Sequence, residues 1–324
     1  MASALRLDHV TKRYGRAVAV DDVSFVAEPG RLFGLLGPNG AGKTSTIRMV
    51  TYITTPDAGT ITLGGEPVGR ATQAQMGYLP EERGLYRKLK VGEQLVYLAR
   101  LKGMTEAEAR ASVNKWLDRF DAATWADKRT EELSKGMQQK VQFISTVVHD
   151  PALVILDEPF SGLDPINADL LVEVIGEMRE AGRVVLFASH RMESVEALCD
   201  DLCLMAGGRV VLAGGLREVK RRFGRDTVSV AFSGDGAWLD PLADAGAVRV
   251  LSRSDGQASL RLAEGTAPRS VLEAALAGAS EVDRFEVHEP PLSDIFRQAV
   301  QGAGLPAPAA EATPPSSPAE LFAA

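Results

Sequence analysis

Gly37-Pro38-Asn39-Gly40-Ala41-Gly42-Lys43-Thr44 is the stretch on which the reading of the chain turns. It fits G-x-x-x-x-G-K-T, the phosphate-binding loop, and it stands where such a loop must stand. Arg31-Leu32-Phe33-Gly34-Leu35-Leu36 ahead of it predicts a buried strand, and Ser45-Thr46-Ile47-Arg48-Met49-Val50 behind it predicts a helix. The glycines let the backbone curl so that several N–H groups point inward at phosphate oxygens, and the helix adds the positive end of its dipole. Lys43 then holds the β and γ phosphates, and Thr44 offers its hydroxyl to Mg²⁺. The alternative is a tight glycine turn with no ligand; the strand and helix on either side favour the nucleotide.

Working outward, 324 residues exceed one average domain, so one large and one small domain are expected. Hydrophobic residues at 45% and charged residues at 24% are ordinary for a soluble globular chain and point to no chemistry. No apolar run approaches the ~20 residues needed to span a bilayer, and Met1-Ala2-Ser3-Ala4-Leu5-Arg6 lacks the apolar segment of a signal peptide, so a cytosolic location is expected. A net charge of −7 disfavours nucleic acid as a partner of the bulk surface. The one basic cluster, Lys220-Arg221-Arg222, reads as a solvated helix face. The two cysteines, Cys199 and Cys203, have no further ligand pair beside them and are expected as buried core thiols.

In chain order, alternation over residues 5 to 12 and 18 to 27 predicts two antiparallel strands ahead of the loop strand, with Tyr14 between them. Turn, short strand and turn follow over 57–65, then a strand over 76–80 ended by Pro80 and followed by Glu81-Glu82. From about Val91 to His149 the period becomes helical. Leu95, Leu98 and Leu101 are placed on one face, Val113, Trp116, Leu117 and Phe120 on another, and Thr105 with Glu108 forms a capping box. This insertion ends in Leu133-Ser134-Lys135-Gly136-Met137-Gln138, just before a helix to about Val148.

Leu153-Val154-Ile155-Leu156 is a short apolar run that finishes in Asp157-Glu158-Pro159, as a central parallel strand covered on both faces does. A carboxylate pair at its carboxyl end lies where open α/β sheets bind ligands. A helix over 166–181 and a strand over 184–188 ending at Ser189-His190 come next. A His at such a place is structural more often than catalytic. After about Arg225 the chemical motifs stop, and strands near 227–232, 247–252, 258–262 and 282–287 with helices near 267–277 and 291–301 describe a small α/β module. The Ala/Pro/Ser/Glu-rich segment 302–324 is expected to be a disordered tail.

The ordered set Tyr14, GPNGAGKT, LSKGMQQ, LVILDEP, SGLD and a His after the last core strand resembles the ATP-binding subunit of an ABC transporter over nearly all of residues 5 to 222. YLPEERGLY, the LSKGM form of the signature and the C-terminal module ending Pro290-Pro291-Leu292-Ser293-Asp294-Ile295-Phe296 look most like the sodium- and drug-export branch of ABC-2 type exporters. The resemblance implies an α/β P-loop nucleotide-binding core with an antiparallel β subdomain and a helical insertion (about 91–149) over residues 1–225. A small C-terminal α/β domain at 226–301 follows it. It implies an ATPase that closes as a dimer on two ATP molecules and drives a separate membrane permease, and so works at the cytoplasmic face of a membrane. The permease would export ions or small molecules.

Carried over residue by residue, Tyr14 would stack on adenine, and Gly37, Pro38, Asn39, Gly40, Ala41, Gly42, Lys43, Thr44 and Ser45 would wrap the phosphates. Asp157 would hold Mg²⁺ together with Thr44, Glu158 would polarise the attacking water, and His190 would contact the γ-phosphate. Ser134, the backbone of Gly136 and Gln138 would bind the nucleotide of the opposite subunit, with Ser161 to Asp164 along the seam. Two departures stand out. Lys135 and Met137 replace a glycine and the glutamine of the usual LSGGQ, and Lys135 is left without a role; Glu81 stands where the family usually has glutamine. A carboxylate is a harder ligand, so Glu81 is expected to reach Mg²⁺ itself. The rival function class is a soluble ABC ATPase acting on a ribosome or DNA, but the chain has neither a second nucleotide domain nor a long coiled coil.

Overall fold

The computed structural model describes residues 4–303 other than 83, 225–226, 255, 264 and 280. The expected tail therefore lies, from residue 304 on, outside the described residues. Up to Gly215 the chain runs β1 (Leu5–Tyr14), β2 (Ala17–Ala27), β3 (Leu32–Leu36), α1 (Lys43–Val50), β4 (Ala58–Leu63), β5 (Glu66–Pro67), β6 (Met76–Leu79), α2 (Val91–Leu101), α3 (Glu106–Arg119), α4 (Lys135–Val147), β7 (Leu153–Asp157), α5 (Pro165–Glu180), β8 (Val184–Ser189), α6 (Met192–Leu198), β9 (Asp201–Ala206) and β10 (Arg209–Gly215).

The period-2 alternation of β1 and β2 buries Leu5, Leu7, Val10, Val20, Val23, Phe25 and Ala27. These strands pair antiparallel from Leu5↔Ala27 to Tyr14↔Ala17, and β4 and β5 complete a four-stranded sheet ordered β2-β1-β4-β5. The apolar runs behave differently. Every residue of β3, β7 and β8 is buried, because these strands sit inside a six-stranded sheet, β10-β9-β3-β8-β7-β6. β3 runs parallel to β8 and β9, and β7 parallel to β8 and β6. The register sets Leu36 beside Ser189 and Asp157 beside Ala188, so the carboxyl ends of three strands finish side by side. β9 and β10 had no forecast from the sequence; β9 carries the buried Cys203 in its Leu202–Ala206 run, and Cys199 is a buried free thiol as well.

In the helical segment the capping box forms as expected, with Glu108 N–H donating to Thr105 Oγ1 and Thr105 N–H donating to Glu108. The face of α2 needs correction. Val91, Gln94, Leu95 and Ala99 are its buried side, whereas Leu101 is 64% exposed. Six residues at about 100° each carry Leu101 roughly 120° around from Leu95, so the two cannot share a stripe. On α3, Val113 and Leu117 are buried, as is Phe120 just beyond it.

The chain divides into two compact units, one reaching Gly214 and resuming at Ala299, the other Gly215–Gln298. The division falls ahead of residue 225, where motifs run out, because α7 (Leu216–Arg222) buries Leu216 and Val219 and packs as part of the second unit despite its basic end. That unit continues with β11 (Thr227–Ser233), α8 (Asp240–Asp244), β12 (Val248–Ser254), β13 (Gln257–Leu262), α9 (Pro268–Gly278) and β14 (Glu281–His288), and α10 (Leu292–Gly302) runs past its end. The sheet order β12-β13-β11-β14 with antiparallel neighbours makes a β-α-β-β-α-β ferredoxin-like unit. Val228, Val230, Phe232, Leu260, Trp238 and Val271 form its core.

Two glycines test the packing with opposite signs. A Cβ on Gly77 in β6 would overlap the Thr146 carbonyl oxygen of α4, while one on Gly176 inside α5 would meet open space. Gly77→Ala is expected to cost about 1–3 kcal/mol of unfolding free energy. Gly176→Ala is expected to add about 0.5–1 kcal/mol. Urea unfolding of the two variants checks both signs, and a Gly77→Ala midpoint at or above the wild type contradicts this account of the β6–α4 contact.

Candidate nucleotide site

The sheet register delivers three chain segments to one place. A cavity of about 260 Å³ is lined by Ala19, by Pro38 to Ser45, and by Glu81, Asp157, Glu158 and His190. Its floor is the glycine loop. Gly37, Gly40 and Gly42 all have positive φ (152°, 78° and 104°), where side chains are disfavoured. A Cβ on Gly42 would also come within 2.6 Å of the Ala19 carbonyl oxygen, so the loop is pressed onto β2. α1 starts at Lys43 with no side-chain cap and no acidic residue in its first turn, which leaves its leading N–H groups for a ligand. The buried Lys43 ammonium donates to the Gly37 and Pro38 carbonyls, so it lies along the loop.

Opposite the lysine stand three carboxylates. Asp157 is 4% exposed, and its burial, then the charges of Glu158 and Glu81, push its carboxyl up to about 6 against the pull of Lys43. Glu158 has φ 49°, an uncommon backbone for a non-glycine residue and one often found at functional sites. Its carboxylate accepts three hydrogen bonds: the His190 N–H and Nδ1 at 2.6 Å each on Oε1, and the Ser189 hydroxyl at 3.0 Å on Oε2. An ionised carboxylate only accepts, so His190 Nδ1 carries the proton of that bond.

The donor set fits a magnesium–triphosphate pair. Phosphates brought beside Glu81, Asp157 and Glu158 with one lysine nearby require a cation between the two sets of oxygens. Among the described residues no group of three His, Cys, Asp or Glu side chains makes a metal cage. Mg²⁺ does not need one, since it takes one or two carboxylates, waters and phosphate oxygens. Asp157, Glu81 and the exposed hydroxyl-bearing Thr44 are the residues that would hold it.

Other expected site residues stand apart from this cavity. Tyr14 ends β1, 47% exposed, with the Lys12 ammonium 5.7 Å from its ring centroid; Ala19, which had not been foreseen, is the β2 residue that reaches the cavity. Ser134 caps α4 by accepting the Met137 N–H at 3.3 Å, and both it and Lys135 are exposed. The Gln138 amide turns back into its own fold and donates to the Thr130 and Leu133 carbonyls. Asp164 caps α5 through the Asn167 N–H, and Ile166 beside it is 82% exposed. Ser189 was missed as a partner of Glu158, although its place beside His190 at a strand end was visible. A larger cavity, about 460 Å³, lies between α3 and α5 around Trp116, Val154 and Met178 and holds none of the expected site residues.

Residues 20–161 match the family model described as ABC transporter, and residues 214–300 that described as ATP-binding protein DrrA1-3-like, C-terminal domain. The chain is 46% identical over 296 residues to the uncharacterized ABC transporter ATP-binding protein YhaQ of Bacillus subtilis (strain 168), covering 91% of this chain and 98% of that protein. It is 41% identical over 215 residues to the Nod factor export ATP-binding protein I of Paraburkholderia xenovorans (strain LB400), covering 65% of this chain and 71% of that one. Among solved structures it is similar to an ATP-binding subunit of an ABC transporter with a TM-score of 0.64 and 32% identity, over 68% of this chain and 92% of the other.

The geometry separates binding from chemistry. Lys43→Ala should weaken ATP binding by about tenfold or more, the loss of one or two charge-assisted contacts. Glu158→Gln keeps the shape and should retain ATP affinity while hydrolysis falls by at least about a hundredfold. Equilibrium binding and phosphate release check the pair; wild-type affinity in Lys43→Ala or rapid turnover in Glu158→Gln contradicts the assignment.

Proposed function

The chain belongs to the ABC transporter ATP-binding family, whose members hydrolyse ATP, and on that premise we propose that it powers a separate permease of the ABC-2 exporter branch, moving ions or small molecules outward. The observation that carries the reading is the meeting of the Lys43 loop, the Asp157–Glu158 pair and His190 on one cavity. The export direction rests on the DrrA-like C-terminal match and on the relative named for Nod factor export. No helix among the described residues is long and apolar enough to cross a membrane. In this proposal the spanning part is another chain, and this one works at the cytoplasmic face.

Lys43 and the α1 N-terminus bind the phosphates, and Tyr14 stacks on the base. Bound Mg²⁺ supplies positive charge to the phosphate oxygens. Glu158 accepts the proton of the attacking water at a carboxylate oxygen. His190 and Ser189 hold that carboxylate in one orientation through their three bonds, which avoids reorganisation during the reaction. Ser134 and Gly136, exposed or half-exposed at the start of α4, complete the site of a second copy, and the exposed Ile166 lies in the seam.

The permease docks on the loop and helix beside Glu81 and Glu82. Tyr86, Leu89, Tyr97 and Leu101 are large apolar side chains left exposed there, and the Tyr86 N–H is anchored to Gln94 of α2 at 2.5 Å. Affinity capture of the full chain from detergent-solubilised membranes is expected to bring down a polytopic membrane protein. Introducing a charge at Tyr97 (Tyr97→Glu) should abolish that capture and leave ATP binding intact. Recovery of ribosomes or DNA in place of a membrane protein would sink the transporter proposal.

A further inference from the structure

Gln142 sits in the middle of α4 and is 3% exposed. Its Nε2 donates to the Pro80 carbonyl at 3.3 Å and to the Glu82 carbonyl at 3.1 Å, the two carbonyls that flank Glu81. Its Oε1 is buried with no hydrogen-bond partner among the described residues. The ladder of β6 with β7 reaches Leu79↔Leu156, and the chain leaves the sheet at Pro80. Four residues along the same helix, the Thr146 carbonyl lies against Gly77 of β6. One face of α4 therefore touches both the strand and the segment that carries Glu81 beyond it. Gln139 makes the matching contact on the other side, donating to the Pro159 carbonyl just after Glu158 at 3.1 Å.

Stability alone does not account for a glutamine here. Two ordinary hydrogen bonds contribute about 0.5–1.5 kcal/mol each. Against them stand about 1.5–2 kcal/mol of lost side-chain freedom and about 1–3 kcal/mol for the unpaired Oε1. An apolar side chain of similar length would serve the core as well. What an apolar side chain lacks is a donor aimed at both flanks of Glu81.

We infer that Gln142 is a positioning residue for Glu81: its buried amide holds the Pro80–Glu82 backbone so that the Glu81 carboxylate stays at the cavity that also holds Asp157 and Glu158. The inference rests on the place of Glu81 among the residues that would hold Mg²⁺ for hydrolysis. It makes α4, which begins at the Ser134 cap, the element whose placement sets where Glu81 stands.

The test uses the full chain and four variants: Gln142→Met, which keeps length and removes the donor, Gln142→Glu, which turns an acceptor toward the two carbonyls, Glu81→Ala, and the Gln142→Met/Glu81→Ala double. Without nucleotide, cleavage by a Glu-specific protease after Glu81 and Glu82, both exposed, should quicken about tenfold in both Gln142 variants, as local opening becomes easier. With MgATP, kcat should fall about tenfold to a hundredfold, the usual effect of a misplaced group, while the KM for ATP stays within about twofold because the Lys43 loop is untouched. The double variant should be no slower than Glu81→Ala alone, since Gln142 acts through Glu81. Unchanged cleavage in both Gln142 variants, wild-type kcat in both, or losses that multiply in the double overturn the inference. A wild-type rate in Glu81→Ala overturns the role of Glu81 itself and removes the inference with it, an outcome read from that single variant.

Discussion

Three carboxylates facing one lysine across the glycine loop are the constraint on which the rest depends. Glu81, Asp157 and Glu158 share a cavity with Lys43, and Asp157 is buried deeply enough that its own ionisation is disfavoured. A fold would not bury Asp157, 4% exposed, beside the like charges of Glu158 and Glu81 for stability, because taking a charge out of water costs several kcal/mol. The arrangement makes sense when a divalent cation and an anionic substrate arrive together. Both the loop, with its uncapped helix, and the carboxylates are then satisfied by the same ligand pair.

The parallel sheet is what allows this gathering. β3, β7 and β8 are neighbours in one register, so segments far apart in the chain end within reach of each other: the phosphate loop after β3, Asp157–Glu158 at the end of β7 and Ser189–His190 at the end of β8. The left-handed backbone at Glu158 turns its carboxylate toward His190 and Ser189, and the three hydrogen bonds hold it there. The strands are buried throughout, and Asp157, Glu158, Ser189 and His190 sit at the last strand residue or one past it.

The core of this site was legible because its elements carry strong local signals. Uninterrupted apolar runs such as Leu153–Leu156 admit few alternatives, and Gly, Lys and paired acids stand directly beyond them. Signals that depend on tertiary partners were not legible. Leu101 is apolar, but its angle on α2 turns it away from the core, where it joins an exposed set with Tyr97. Gln142 looks like a polar break in the buried face of α4, and only the fold shows the two carbonyls it meets. β9 follows a short helix and β10 follows the Gly207–Gly208 turn, without a motif to draw attention to them. Ala19 carries no chemical signal and reaches the cavity solely through the path of β2.

The cavity presents only part of what the family resemblance requires, since Ser134 and Gly136 stand exposed or half-exposed at the head of α4 and outside its lining. The central claim is that two copies close over two nucleotides, each α4 completing the other's site. Its most direct measurement is the mass in solution of Glu158→Gln with MgATP, by light scattering, together with the nucleotide bound per chain. The account predicts that saturating ATP doubles the mass from one chain to two with one ATP on each, and that Ser134→Arg blocks the doubling. A chain that fills with ATP and stays a monomer would contradict it.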